Sequence, residues 1–474
     1  MATGTGSAGG GWPTIFRRAS VGIPVRGSRE RRSFVAGSMS PAPTEGGLKQ
    51  ARPGSGSADN RQMRPGSAFA DNRQMRPGSG SADNPSESQL SAALVDNPPA
   101  GAELGFYVHV PFCAKRCGYC SFNTAPLEDG AMARYLEALH REIDLLGAIA
   151  WSRRVRLSTI FLGGGTPSLL PAQDLAAMLE RIRSRFEIAA DAEITLECNP
   201  ESVTREKLAG YGAAGVNRLS LGVQSLDDSI LPRLGRLHDA RGARAAFEAA
   251  RAAGCDNLSV DLMYGLPGLD ADGWTRAVEA VLDWKPDHLS AYGLTLDAGS
   301  LWGASGVEGL PTEDTQIDQY WRLARAAAAR GLEHYEISNY ARPGCRSRHN
   351  QIYWHAAEYL AAGPGACGFV GRMRYANVKA TPRYCETLAG GDLPIASSEH
   401  LSERQRLAER LILGLRTADG VPTALLESRL GGDARLRELV DAWRARAVLV
   451  DADDRVRLTE AGFLLSDALF VELL

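Results

Sequence analysis

The sequence predicts an α/β fold. A run of parallel βαβ units forms a partial barrel of the TIM type, followed by a small α+β region and a winged-helix-like unit. Three observations carry this. Strand-like and helix-like segments alternate at regular spacing from Leu104 to Leu296, the pattern of parallel strands joined by crossover helices. The polar residues of that stretch gather at the ends of its strands, where barrels of this type carry their reactive groups. The rhythm breaks after Leu301, where aromatic and Gly-rich segments and then a helix-rich tail take over.

Residues 1–102 are different material, rich in Gly, Ser, Pro and Arg. Arg-Pro-Gly-Ser-Gly-Ser-Ala-Asp-Asn begins at Arg52, recurs in altered form at Arg64 and returns at Arg76. So short and polar a period has no face to bury, which excludes a solenoid and predicts a disordered extension. The Arg-rich, acid-poor stretch 16–34 imitates an organellar transit peptide. The rival is an upstream mis-assigned start, with the true start at Met39 or later. An Ala/Gly/Arg-heavy composition, as in a high-GC bacterium, favours the rival.

Residues 103–300 form the predicted barrel. Strands are expected at 106–112, 159–165, 193–199, 218–224, 257–265 and 288–296. Helices are expected at 131–149, 172–186, 205–214, 240–253 and 273–284. Six strands in succession with little sign of a strand-order switch suit a barrel or part of one. Residues 301–398 hold an amphipathic helix at 314–330 and strands at 333–338 and 374–378. Between those strands lies an aromatic stretch with His349. Residues 399–474 give helices at 402–416, 423–430 and 434–445, then a hairpin at 448–458. Three helices and a hairpin read as a winged helix.

Composition narrows the function. At 474 residues and 44% hydrophobic the chain supports a large core. A net charge of -3 gives no basic field for nucleic acid, and no predicted recognition helix is strongly basic. No apolar run reaches bilayer length. Five of the eight cysteines are scattered singly, which excludes a disulfide framework and fits a reducing compartment.

The most informative motif is Cys113-Ala-Lys-Arg-Cys117-Gly-Tyr-Cys120, after the first strand. Three thiolates on one tight loop suit a [4Fe–4S] cube whose fourth iron stays open to a small molecule. Zinc is the rival and needs a fourth ligand. His109 is close, but it sits within the strand run, which disfavours it. Gly163-Gly-Gly-Thr-Pro167 ends the second strand, where glycines allow close approach and offer N–H groups to a ligand. The amine and carboxylate of a methionine moiety would suit the open iron beside it.

These motifs, with Glu197-Cys-Asn-Pro, Asn217-Arg-Leu-Ser-Leu-Gly-Val-Gln224 and Asp261-Leu-Met-Tyr-Gly-Leu-Pro267, resemble the radical S-adenosylmethionine superfamily. The likeness is to the group around oxygen-independent coproporphyrinogen III dehydrogenase and the HemW haem chaperones. It runs from about Gly105 to the C-terminus. The resemblance implies that Cys113, Cys117 and Cys120 bind the cluster. Tyr107, Gly164, Gly165, Thr166, Glu197, Gln224, Arg236 and Asp261 would form the adenosylmethionine pocket. Carboxylates there would accept from ribose hydroxyls or an amine, and Arg236 would meet a carboxylate with its fork.

Two features separate the branches of this group. Dehydrogenase-type sequences carry a further cysteine two places after the third, where this chain has Phe122, as the HemW family does. His349-Asn-Gln-Ile-Tyr353-Trp354 matches the motif associated with haem binding in that family, which makes His349 the candidate axial ligand. His355, Tyr353 and Cys345 are the other candidates. A histidine in a turn rich in Arg, Ser and Asn is otherwise a hydrogen-bonding surface residue. The resemblance therefore implies a cytoplasmic haem chaperone that passes haem to apo-haem proteins, respiratory acceptors at the membrane among them. A homodimer and peripheral membrane contact are compatible with it. The alternative is a radical enzyme. Its reduced cluster would cleave adenosylmethionine to a 5′-deoxyadenosyl radical that starts decarboxylation of coproporphyrinogen III. A zinc-stabilised structural module is a distant third.

Overall fold

The computed structural model describes Pro98 and residues 100–474. The repeats, the 16–34 stretch and Met39 lie outside the described residues, as does most of the expected extension.

Six strands open the fold: β1 (Glu103–Val110), β2 (Arg156–Gly164), β3 (Glu187–Cys198), β4 (Arg218–Gln224), β5 (Leu258–Tyr264) and β6 (His288–Gly293). Each pairs in parallel with the next. Between them run α1 (Ala131–Ala148), α2 (Ala172–Arg185), α3 (Arg205–Ala214), α4 (Ala240–Ala252) and α5 (Ala271–Asp283). β4 and β5 are buried along their whole length, as strands covered on both faces must be. Inward positions nevertheless carry polar groups, so the barrel interior is a lined chamber.

The second half is richer than the sequence predicts. After α6 (Glu313–Ala329) come β7 (Glu333–Glu336) and β8 (Asn339–Ala341), which extend the sheet antiparallel beyond β6. The stretch with His349 is a short helix, α7 (Arg348–Trp354). Next come β9 (Tyr359–Ala362), β10 (Cys367–Val370), β11 (Met373–Asn377), α8 (Thr381–Ala389) and β12 (Ile395–His400). β9 pairs in parallel with the outer edge of β1 and adds a seventh parallel strand to the six expected. The whole forms one twelve-stranded, mostly parallel sheet in the order β12-β11-β10-β9-β1-β2-β3-β4-β5-β6-β8-β7.

The tail contains α9 (Glu403–Leu415), β13 (Val421–Pro422), α10 (Thr423–Leu430), α11 (Ala434–Ala445), β14 (Leu449–Ala452), β15 (Arg455–Leu458) and α12 (Glu460–Leu473). β13, β15 and β14 form a small three-stranded sheet. The three expected helices and hairpin are present, joined by α12. No helix among the described residues is long and apolar enough to cross a membrane.

Candidate functional site

The cysteine loop leaves β1 over the C-terminal ends of the strands. Cys113, Cys117 and Cys120 line one cavity of about 60 Å³ with Gly164, Gly165, Thr166, Glu197, Gln224, Arg236 and Asp261. Residues from four strands, β2 to β5, thus meet the cysteine loop and the loop of Arg236 at one place. Tyr107 lies just below, in a deeper cavity of about 160 Å³ that shares Phe122, Gly164, Glu197, Ser220 and Asp261 with the first. His349 lines neither.

Two of the three sulfurs are already addressed by donors. The Thr166 hydroxyl points at Cys113 Sγ at 3.6 Å, and Arg236 Nη1 lies 3.8 Å from Cys117 Sγ. Donors aimed at sulfur suit thiolates held on a metal. Burial pushes the free Cys113 thiol up to about 11, with the Thr166 hydrogen bond working against it. Iron would displace that proton on binding. His109 is spent as a fourth zinc ligand, for its ring contacts Tyr107 Oη at 3.0 Å and the Asn123 carbonyl at 2.8 Å. The donor set fits a cluster better than zinc.

Two expectations about the pocket change. The N–H groups of the glycine run do not face a ligand. Gly164 donates to Glu197 Oε2 at 3.1 Å, Gly165 to the Val110 carbonyl and Thr166 to the Phe112 carbonyl. The glycines serve close packing instead. Gly164 has φ +112°, and a Cβ on Gly165 would stand 2.5 Å from the Phe112 carbonyl oxygen. Nor does Arg236 present a free fork. Its Nη2 donates to Asn199 Oδ1 at 2.7 Å and to the Gly222 carbonyl at 2.5 Å, so it ties the cysteine loop to β3 and β4. Gln224 sits at φ 66°, a left-handed conformation for a non-glycine residue at the strand end. Asp261 accepts from the hydroxyls of Ser220 and Ser259.

His349 is no surface residue. It is fully buried. Its Nδ1 contacts Thr159 Oγ1 at 2.7 Å and its Nε2 contacts Tyr353 Oη at 2.7 Å, so neither ring nitrogen is free for iron in this conformation. Burial first, and the Arg218 charge second, lower its pKa to about 3. Tyr107, Phe161 and His349 stack in sequence, with centroids 6.2 and 5.1 Å apart. Their α7 neighbours Asn350, Tyr353 and Trp354 do line the deeper cavity.

Sequence reasoning missed Glu193, whose carboxylate accepts the first two N–H groups of α7, from Arg348 and His349, at 3.0 Å each. It also missed Asn199, Arg218 and the buried pair of Glu336 with Arg416. Arg218 shares the inward face of β4 with Ser220 and Gly222, so the two-residue period of a strand was the signal that would have found it.

Comparison with known proteins follows the same lines. Residues 107–281 match the profile of the radical SAM superfamily, and residues 401–465 that of the HemN C-terminal domain. The chain is 40% identical to a heme chaperone HemW of Mycobacterium tuberculosis over 80% of its own length and 96% of the relative's. It is 32% identical to the HemW of Bacillus subtilis, covering 77% and 97% respectively. Coproporphyrinogen III oxidase (HemN) from Escherichia coli superposes with a TM-score of 0.72 at 21% identity, covering 82% of this chain and 93% of that one. The last likeness establishes the fold.

Proposed function

The chain belongs to the HemW family within the radical SAM superfamily, and on that premise we propose that it is a haem carrier that delivers haem to apo-haem proteins. Cys113, Cys117 and Cys120 would hold a [4Fe–4S] cluster. Tyr107, Gly164, Gly165, Thr166, Glu197, Gln224 and Asp261 would surround adenosylmethionine at its open iron. Arg236 would act from behind, fixing the loop rather than gripping the ligand. Bound there, the pair supplies one-electron chemistry. The protein's own part is to orient the sulfurs, exclude water and present polar inward faces.

The observation that carries the haem reading is the placement of α7. Its Asn350, Tyr353 and Trp354 line the same deep cavity as Tyr107, Glu197 and Asp261. His349 is the proposed axial ligand, and binding iron would exchange one of its two hydrogen bonds for the metal. Acceptors would be cytoplasmic apo-proteins or respiratory haem proteins reached at the membrane surface.

Haemin titration of anaerobically reconstituted protein tests this. The wild type is expected to give a Soret shift, and His349→Ala a different one. Identical spectra would remove His349 as the ligand. No shift in the wild type would remove the haem reading. The enzymatic alternative predicts decarboxylation of coproporphyrinogen III in an anaerobic assay. Phe122 counts against it, since Phe neither binds iron nor relays a proton.

A further inference from the structure

Arg218 opens β4 at the floor of the barrel and lines the deep cavity. Its side chain is one of the largest fully buried in the protein, with the residue 2% exposed. Its guanidinium makes no hydrogen bond or ion pair to any described residue, and Nε is buried with no partner. Arginine keeps its charge in a protein interior, and a buried charge without a counterion is costly.

The other charged groups of the cavity have hydrogen-bond partners, and one pair of them joins opposite charges. Arg416 Nη2 meets Glu336 Oε1 at 2.7 Å, and Glu336 also accepts from the Ser338 N–H and Asn339 Nδ2. Asp261 accepts from two hydroxyls, and Glu197 from the Gly164 N–H. Glu193 is taken up by α7. Among the described residues the Arg218 guanidinium has no carboxylate in hydrogen-bond contact, although Glu197 and Asp261 line the same cavity.

We propose that Arg218 anchors a carboxylate of the ligand that enters the barrel, and that this carboxylate is a propionate of the tetrapyrrole. The proposal rests on the haem reading and deepens it. A guanidinium takes a carboxylate by two parallel hydrogen bonds. The cavity, about 160 Å³, admits a carboxyalkyl arm but not a whole macrocycle. The arm therefore reaches Arg218 while the ring stays toward the mouth, a pose that rests on haem binding but not on His349 as the iron ligand, since His349 lies buried outside this cavity. The other carboxylate within reason is that of adenosylmethionine, which the cysteine loop would hold at the opposite end.

The test uses full-length reconstituted protein, wild type against Arg218→Met and Arg218→Lys. Affinities are measured for haemin, for haemin dimethyl ester and for adenosylmethionine, with melting curves of each protein. The wild type is expected to prefer haemin over its ester by about ten- to a hundredfold, the worth of a charge-assisted hydrogen bond. Arg218→Met loses the preference, binds the ester as the wild type does, and melts no lower than wild type in the absence of haem. Arg218→Lys keeps part of the preference. Adenosylmethionine affinity stays unchanged in both. A wild type that binds haemin and ester equally overturns this proposal and leaves the haem reading standing. A preference surviving in Arg218→Met overturns it too, as does collapse of the fold in both variants. Loss of adenosylmethionine affinity instead assigns the carboxylate to that molecule. A wild type that binds neither porphyrin overturns both readings.

Discussion

Each of Cys113→Ala, Cys117→Ala and Cys120→Ala is expected to abolish labile sulfide and the broad visible absorbance of reconstituted protein. Haem binding that survives these changes would make the two sites independent. Arg236 belongs to the same set, because it reaches Cys117 Sγ and Asn199 together. A second residue-scale prediction concerns Glu142, which is buried and accepts from the Gly363 N–H, Asn377 Nδ2 and Tyr384 Oη. Burial pushes its carboxyl up to about 7 against those three hydrogen bonds. The folded protein thus holds this proton more tightly than the unfolded chain does. The stabilisation is full below the ordinary glutamate range and is lost as pH rises through about 7. Denaturant titrations should show wild type losing on the order of 3 kcal/mol against Glu142→Gln between pH 4.5 and pH 8. A pH-independent difference would refute the assignment. At this scale the gathering of the cysteines, Glu197 and Asp261 on one cavity was legible, because their motifs recur along successive strands and the loop after β1. The partners of His349 were half legible. Tyr353 lies one helical turn along, but Thr159 comes from a strand 190 residues earlier, and no local pattern announces that contact.

Among elements, α7 shows how a short helix is held by what lies beneath it. Seven residues are too few to be stable alone. Ser347 caps the helix by accepting from the Asn350 N–H, and the Glu193 carboxylate sits where the helix end is positive. Replacing Glu193 by Gln is expected to cost about 1–2 kcal/mol in urea denaturation. If α7 carries the haem ligand, the same change shifts the Soret band of the haem complex. An unaltered spectrum with lowered stability would separate the helix from haem. The barrel elements were legible because long buried strands alternate with amphipathic helices. The short strands β8, β9 and β10 were not, since three or four residues carry too little alternation to stand out from the surrounding glycines. Helix α12 escaped for the opposite reason: Gly-Phe-Leu-Leu and Leu-Phe-Val-Glu-Leu-Leu make it apolar on nearly every side, which erases the periodicity.

Over the whole molecule, the tail closes the barrel floor and does not hang beside it. The expected boundary at 399 severs more than a linker. The Ile337 N–H donates to the Arg416 carbonyl, and the Ala418 N–H to the Tyr335 carbonyl. Between these two bonds the Arg416 guanidinium enters the floor and meets Glu336, with side chains 8% and 1% exposed. Such a pair contributes little over an apolar substitute, but breaking it strands a charge in the core. Arg416→Met is therefore expected to lose about 3–5 kcal/mol, measured by denaturant unfolding. The double change Glu336→Met with Arg416→Met should recover most of that loss. Recovery would show that the penalty of the single variant is the orphaned carboxylate. If the single variant is as stable as wild type, the tail is a separate unit and the floor of the chamber holds without it.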